Sequence, residues 1–238
     1  MAQNRVALVT GGAKRVGRQI ALSLASAGYD VAIVYQRSKQ DADEVVEEIR
    51  ALGRSGLAIQ ADLAESAAAE KIAAEFRPVF SRLDVLVNNA SIYEPGESPE
   101  LMRKFWAVHV NSPLLLCRAF EAELRAARGH VVNMVDGMVE RPWPKFTAYC
   151  ASKAALWNLT LSLARDLAPD VTVNGIAPGV VEWPADFPDD QRGKYLERVP
   201  LARAGTPQDV AAAVLFFCSG GSYVTGQVLR LDGGRSLT

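Results

Sequence analysis

The sequence predicts an α/β fold: one domain on a doubly wound parallel sheet of about seven strands, with helices on both faces. Three observations predict it. Short apolar runs recur along the 238 residues and are apolar throughout rather than alternating, as strands buried on both faces are. Longer segments with helical apolar spacing lie between them. No linker, internal repeat or low-complexity tract divides the chain, so residues 1–238 read as a single domain.

The first run is Arg5–Thr10 (RVALVT), which ends at Gly11 and Gly12. Residues 31–35, 57–61, 85–88, 130–135, 171–176 and 227–231 repeat the pattern, the last followed by Asp232, Gly233 and Gly234. Between them, Val45, Val46, Ile49 and Leu52 recur at helical spacing up to Gly53. Residues 147–167 form another helix, with Ala154, Ala155, Leu161 and Leu163 apolar and Pro169 past its end. Residues 179–203 are the one long irregular stretch, with Pro178, Pro184, Pro188 and Pro200 in or beside it. A loop that long in a compact domain is often functional, which makes it a candidate lid.

Composition narrows the function. Apolar residues make up 49% and charged residues 22%, with 26 basic against 27 acidic for a net of −1. That balance excludes an overall basic nucleic-acid binder and an acidic tail protein. The longest apolar run, residues 210–218, is too short to span a membrane. The N-terminal MAQNRVALVTGG lacks the parts of a signal peptide. Cys117, Cys150 and Cys218 give neither a disulfide framework nor a metal-ligand spacing. His109 and His130 sit in separate elements, so no metal site is expected. A reducing cytoplasm is the expected compartment.

The first strand runs into TGGAKRVG, Thr10 to Gly17, and then a helix. Glycines at a strand-to-helix turn let the backbone approach a pyrophosphate, and the helix start supplies free N–H groups. This is the phosphate end of a Rossmann-type domain. The spacing fits T-G-x-x-x-G-x-G with Arg15 in place of the middle glycine. At the end of the second strand, Tyr35-Gln36-Arg37-Ser38 holds no acid for a ribose 2′-hydroxyl. Arg37 and Ser38 can hold a 2′-phosphate instead, which points to NADPH; the alternative for Arg37 is a solvated loop charge. Lys14, Arg15 and Arg18 complete a local basic cluster with Arg37. Asp62, after the third strand, can pair with an adenine amino group, and Asn88-Asn89-Ala90 follow the fourth.

Tyr149 and Lys153 stand four apart on one helix face. An ammonium beside a phenol favours the phenolate and lowers its pKa, which makes Tyr149 a usable acid or base. Asn111 lies in a long helical stretch with Pro113 two residues on. The proline has no N–H for the His109 carbonyl, so a kink is expected, and Asn111 beside it can hold a relay water; the alternative is a buried kink without chemistry.

This set, in this order, resembles the short-chain dehydrogenase/reductase family over essentially the whole chain. The resemblance implies Tyr149 as acid, Lys153 as its pKa tuner and ribose ligand, and Asn111 as relay holder. It implies cofactor contacts from Gly11, Lys14, Arg15, Val16, Tyr35, Arg37, Ser38, Asp62, Leu63, Asn89, Ala90, Ser91, Met134, Tyr149, Lys153, Pro178, Gly179 and Val180. Two departures stand out: Arg15 replaces a glycine, and Asp136 stands where a serine is expected, 13 residues before the tyrosine. With YQRS, NNAS, NMVDGM and the DGGRSLT end, both departures resemble the pteridine reductases, including dihydromonapterin reductases. That implies NADPH-dependent hydride transfer to the C6=N5 imine of a dihydropterin, with dihydrofolate a further candidate. Substrate contacts are then expected from Arg15, Ser91, Tyr93, Asp136, Tyr149 and Trp183, with Tyr93 stacking on the ring. Whether Asp136 is ionised stays open, since Lys153 and burial push opposite ways. A carbonyl reductase of the same fold, acting on an oxoacyl thioester or a sugar ketone, is the alternative. A non-catalytic NADP-binding regulator is a third. The family resemblance also implies a homotetramer built on the helices near residues 101–127 and 147–167.

Overall fold

A computed structural model describes residues 4–183, 188–219 and 223–238. In chain order the elements are β1 (Arg5–Thr10), α1 (Arg15–Ser26), β2 (Tyr29–Tyr35), α2 (Lys39–Ala51), β3 (Gly56–Gln60), α3 (Ala68–Phe76) and β4 (Val85–Asn88). Then come α4 (Pro99–Trp106), a π-helical turn (Ala107–Asn111), α5 (Ser112–Ala119), α6 (Glu121–Ala127) and β5 (His130–Met134). The chain continues through α7 (Thr147–Asp166), β6 (Thr172–Pro178), α8 (Asp189–Leu196), α9 (Pro207–Ser219) and β7 (Val228–Leu231).

The strands form one parallel sheet in the order β3-β2-β1-β4-β5-β6-β7. Val9 lies beside Ile33 on one side and Val87 on the other. The order reverses direction between β1 and β4, and in sheets of this kind the carboxyl ends of the strands at that point are where a ligand crevice forms. Alternate side chains of each strand supply opposite faces. Ala7, Val9, Val31 and Ile33 pack with α1, α2 and α9. Val6, Leu8, Ala32 and Val34 pack with α3, α5, α6 and α7. Burial on both faces explains why the strands are apolar throughout; each fully buried Val or Leu is worth about 1.5–3 kcal/mol.

The structure departs from the sequence reading at two elements. Residues 179–203 are not irregular throughout, because α8 lies inside them. Pro188 sits at its N-cap, with Asp189 and Asp190 in the first turn where the helix dipole favours acids. The helix buries no side chain deeply, so it carries no apolar stripe to read. Pro184, another of the four prolines named there, lies outside the described residues. The long helix around Asn111 is also interrupted: the expected kink before Pro113 takes the form of the π-helical turn.

At the start of α1 the packing is close. A Cβ on Gly17 would overlap the Gly11 carbonyl oxygen and the Asn89 amide, and the first of these is backbone that cannot swing away. Gly17→Ala should therefore destabilise the fold by about 1–3 kcal/mol. Urea denaturation measures this, and a variant with the wild-type midpoint would contradict the tight packing.

Candidate active site

The glycine turn is held by β4. Asn89 Nδ2 donates to the Thr10 carbonyl at 2.8 Å and to that of Gly11 at 3.3 Å. The Asn89 and Ala90 amides both donate to Thr10 Oγ1, at 2.9 and 3.0 Å. The Asn89 side chain, expected along the cofactor, is thus spent on shaping the turn. Gly11 adopts φ +64° and Arg15 φ +51°. Arg15 therefore sits in the left-handed region that favours glycine, a strain of roughly 1–3 kcal/mol. Lys14 caps α1 without a side-chain hydrogen bond, so the first-turn amides next to Val16 keep free N–H groups.

The basic cluster is largely neutralised. Lys14 pairs with Asp41 at 3.0 Å, and Arg15 Nε donates to Glu182 at 2.6 Å. Arg18 makes two 2.7 Å bonds to Glu48. Arg15, expected at the phosphates or the substrate, instead ties the glycine turn to the segment after β6. Arg37 is exposed and makes no ion pair among the described residues, and Ser38 beside it spends no hydrogen bond on capping α2. Those two remain available to a phosphate. Tyr35 is packed in the core. Asp62 accepts from Gln36 at 2.7 Å and from the Ala64 amide at 2.9 Å, with Leu63 half-buried beside it.

Deeper in the crevice, Tyr149, Lys153 and Asp136 come together. Tyr149 Oη donates to Asp136 Oδ2 at 2.7 Å, and Asp136 Oδ1 accepts from the Met138 amide at 2.7 Å. Lys153 is buried and donates to the Met134 carbonyl at 2.8 Å. Burial lowers its pKa to about 8, against the pull of Asp136. Burial pushes the Asp136 carboxyl above the usual carboxylate range, and its bonds to Tyr149 and Met138 and the Lys153 charge oppose this less strongly. The Tyr149 phenol is raised, first by burial and then by the Asp136 carboxylate. This corrects the expectation that Lys153 depresses it. The ammonium stands 5.9 Å from the ring centroid, whereas the carboxylate touches the hydroxyl.

Asn111 is also corrected. It is exposed, and among the described residues its side chain makes no hydrogen bond to the site. The residue of this turn that faces Tyr149 is His109, buried to 1% exposure, with its ring edge-on to the phenol at 5.6 Å. Residues two apart on a helix point to nearly opposite sides, so only one of the pair can face inward.

The wall facing Asp136 is aromatic. Tyr93 stacks on Phe146 with centroids 4.7 Å apart and meets Tyr149 edge-on at 5.1 Å. Burial raises the Tyr93 pKa to about 12. Trp183 is packed edge-on to Tyr195 of α8 at 5.3 Å, with Arg192 over its ring. Tyr195 accepts from the Val180 amide at 3.3 Å and touches Trp143. Pro178 and Gly179 close this side, where the Gly179 amide donates to the Leu231 carbonyl. Phe146, Trp143 and Tyr195 carry no signal in the sequence reading, and His109 figures there only as a histidine too isolated to hold a metal. Pro188 followed by two aspartates is a helix-start signal that could have found α8 and hence Tyr195.

The family model described as enoyl-(acyl carrier protein) reductase matches residues 11–236. The 3-oxoacyl-[acyl-carrier-protein] reductase FabG of Staphylococcus aureus is 37% identical, covering 98% of this chain and 99% of that protein. This chain belongs to the short-chain dehydrogenase/reductase family. Pteridine reductase 1 of Leishmania tarentolae is 34% identical, covering 98% of this chain and 96% of the relative. Among solved structures, a short chain dehydrogenase from Burkholderia cenocepacia J2315 in complex with NADP superposes with TM-score 0.91 at 36% identity, over 97% of each chain. The family's sheet and crevice are those described above. Among the described residues, no helix is long and apolar enough to cross a membrane, and no cluster of three His, Cys, Asp or Glu could hold a metal ion.

Proposed function

We propose that this chain is an NADPH-dependent reductase of a dihydropterin, with residues 1–238 acting as one unit. The observation that carries the reading is the Tyr149–Asp136 pair at 2.7 Å. The fit to the cofactor rests on the uncapped start of α1, the glycine turn whose backbone a Cβ would obstruct, and the unpaired Arg37. Gly11, Lys14, Val16, Arg37, Ser38, Asp62, Leu63, Ala90, Met134 and Gly179 would hold it, with Lys153 on the ribose. When bound, NADPH supplies the hydride.

The chain's own groups supply the proton. Tyr149 donates from Oη to the imine nitrogen, and Asp136, whose pKa burial raises, passes a proton on to Tyr149. A pterin edge offers an amino group and ring nitrogens, which a carboxyl can both accept from and donate to. The rings of Tyr93, Phe146 and Trp183 suit a flat heteroaromatic substrate, with the free face of Tyr93 toward it. A second reading is reduction of a 3-oxoacyl thioester, favoured by the similarity to the staphylococcal reductases. It is disfavoured by Asp136, which must donate to a carbonyl oxygen where a serine would do so at any pH. A steady-state panel decides between them: dihydromonapterin, dihydrobiopterin, dihydrofolate and a 3-oxoacyl thioester, each with NADPH and NADH. Turnover of a dihydropterin with NADPH supports the first reading; turnover of the thioester alone rejects it.

We also propose a homotetramer. Met102, Trp106, Leu115 and Leu161 are 51%, 50%, 37% and 38% exposed on α4, α5 and α7. Leu116 of α5 is buried in the core, and Trp157 of α7 is partly buried against Leu156, so neither adds to that face. Light scattering at micromolar concentration should give four times the chain mass, and a monomer would refute it.

A further inference from the structure

Arg15 and Glu182 meet across the sheet. Arg15 Nε donates to Glu182 Oε2 at 2.6 Å, and Nη2 donates to the Glu182 backbone carbonyl at 3.3 Å. The two residues follow strands that are not neighbours. Arg15 opens α1 after β1, Glu182 comes after β6, and β4 and β5 lie between those strands. Three inter-strand spacings make about 14 Å. The ion pair therefore bridges the carboxyl ends of β4 and β5, beside the point where the strand order reverses and where a dinucleotide lies in sheets of this kind.

The guanidinium of this bridge stands at the first residue of the helix whose free amides suit a pyrophosphate. Phosphate and carboxylate oxygens make the same demand on an arginine fork, so the two anions are rivals for it. A diphosphate brings two negative charges against the carboxylate's one. The side chains are 64% and 33% exposed, so the pair is weak enough for such a ligand to break. The segment around Glu182 does not need the pair to stay in place. The Val180 amide donates to Tyr195 Oη at 3.3 Å, the Val180 carbonyl accepts from the Gly205 amide at 2.9 Å, and Trp183 packs on Tyr195.

We propose that Glu182 is a built-in competitor of the cofactor: its carboxylate and the NADPH pyrophosphate contend for the Arg15 guanidinium, so Glu182 sets how tightly NADPH is held. A cofactor that wins Arg15 frees Glu182, the neighbour of Trp183 on the substrate wall, from the glycine turn. This rests on the cofactor lying against the glycine turn and not on the identity of the substrate.

Fluorescence titration of NADPH, with no substrate present, tests it. Glu182→Gln removes the charge but keeps the side-chain size and the backbone carbonyl that Arg15 also holds. It should lower the NADPH Kd about two- to fivefold, the range of an exposed ion pair. Glu182→Asp keeps the charge but shortens the reach, and it should tighten binding as well. Arg15→Gly suits the left-handed backbone at φ +51° and removes the guanidinium. It should raise the Kd about tenfold, the scale of one charge-assisted hydrogen bond. In that background Glu182→Gln should leave the Kd unchanged, because nothing remains to contend for. Circular dichroism melts check that each variant is folded. An equal gain from Glu182→Gln in both backgrounds, with none from Glu182→Asp, would reduce the effect to charge repulsion and overturn the proposal. Weaker NADPH binding by Glu182→Gln would make the pair a clasp over the cofactor and overturn it too, as would an unchanged Kd. The measurement needs no turnover, so failure of the pterin reading leaves its outcome untouched.

Discussion

Tyr149→Phe should lower kcat by about 10²–10⁴-fold, the usual worth of a positioned proton donor, and leave NADPH affinity unchanged. The hydroxyl bonds to Asp136, while the ring is held by His109, Phe105 and Tyr93. Phenylalanine keeps the ring contacts, so the fold should persist and the loss should fall on chemistry. Stopped-flow single turnover with prebound NADPH separates the two. A variant that binds NADPH poorly, or that reduces substrate at the wild-type rate, would refute the assignment. The raised pKa of Tyr149 keeps the phenol protonated through neutral pH, as a donor must be.

Asp136→Asn should have an opposite pair of effects: reductase activity falls by about 10²-fold or more, and the fold becomes more stable at pH 7–8. The sign follows from the direction of the shift. Burial raises the folded-state pKa of Asp136 above its unfolded value. The stability this lends is full below the unfolded pKa, near pH 4, and is lost as pH rises through the folded pKa. Each unit of upward shift costs the wild type about 1.4 kcal/mol above that pH, and an asparagine avoids the cost. Urea melts from pH 4 to pH 8 should show the two proteins converging at the acid end and diverging toward neutrality. Equal pH dependence would show that Asp136 is not shifted. Activity supplies a second check. The wild-type rate should fall as pH rises through the same raised pKa, because protonated Asp136 replenishes Tyr149, and Asp136→Asn should lack that limb. Asp136→Ser should move activity from dihydropterin toward a 3-oxoacyl thioester if the carboxyl is what selects the substrate.

The sheet was legible because its signal is thermodynamic and local. Residues 5–10 and 85–88 had to be apolar on both faces to lie mid-sheet, and β1 and β4 occupy those positions. The glycine turn was legible for a similar reason, since few side chains tolerate that packing, and Arg15 in the left-handed region shows the pattern respected even where the residue departs from it. The basic cluster was less so. Lys14, Arg15 and Arg18 find their acids at Asp41, Glu182 and Glu48, and Arg15 and Glu182 are 167 positions apart. No window of sequence reports which opposite charge will fold against a given arginine.

What the sequence by itself determined is the doubly wound α/β fold, the phosphate-binding turn, and the presence of Tyr149, Lys153 and Asp136 at the carboxyl end of the sheet. The fold and the turn depend on burial pattern and local spacing, Tyr149 and Lys153 on spacing within one helix, and Asp136 on the family resemblance. Only the tertiary structure decided that His109 rather than Asn111 faces Tyr149, and that Asp136 rather than Lys153 is the phenol's immediate partner. The first turns on helical phase, which the π-helical turn before Pro113 resets. The second turns on a few ångströms between elements: the Lys153 ammonium reaches the Met134 carbonyl, and the carboxylate stands 2.7 Å from the phenol. Electrostatic coupling falls with distance and with exposure, so which charge governs a pKa is settled only when the chain has packed.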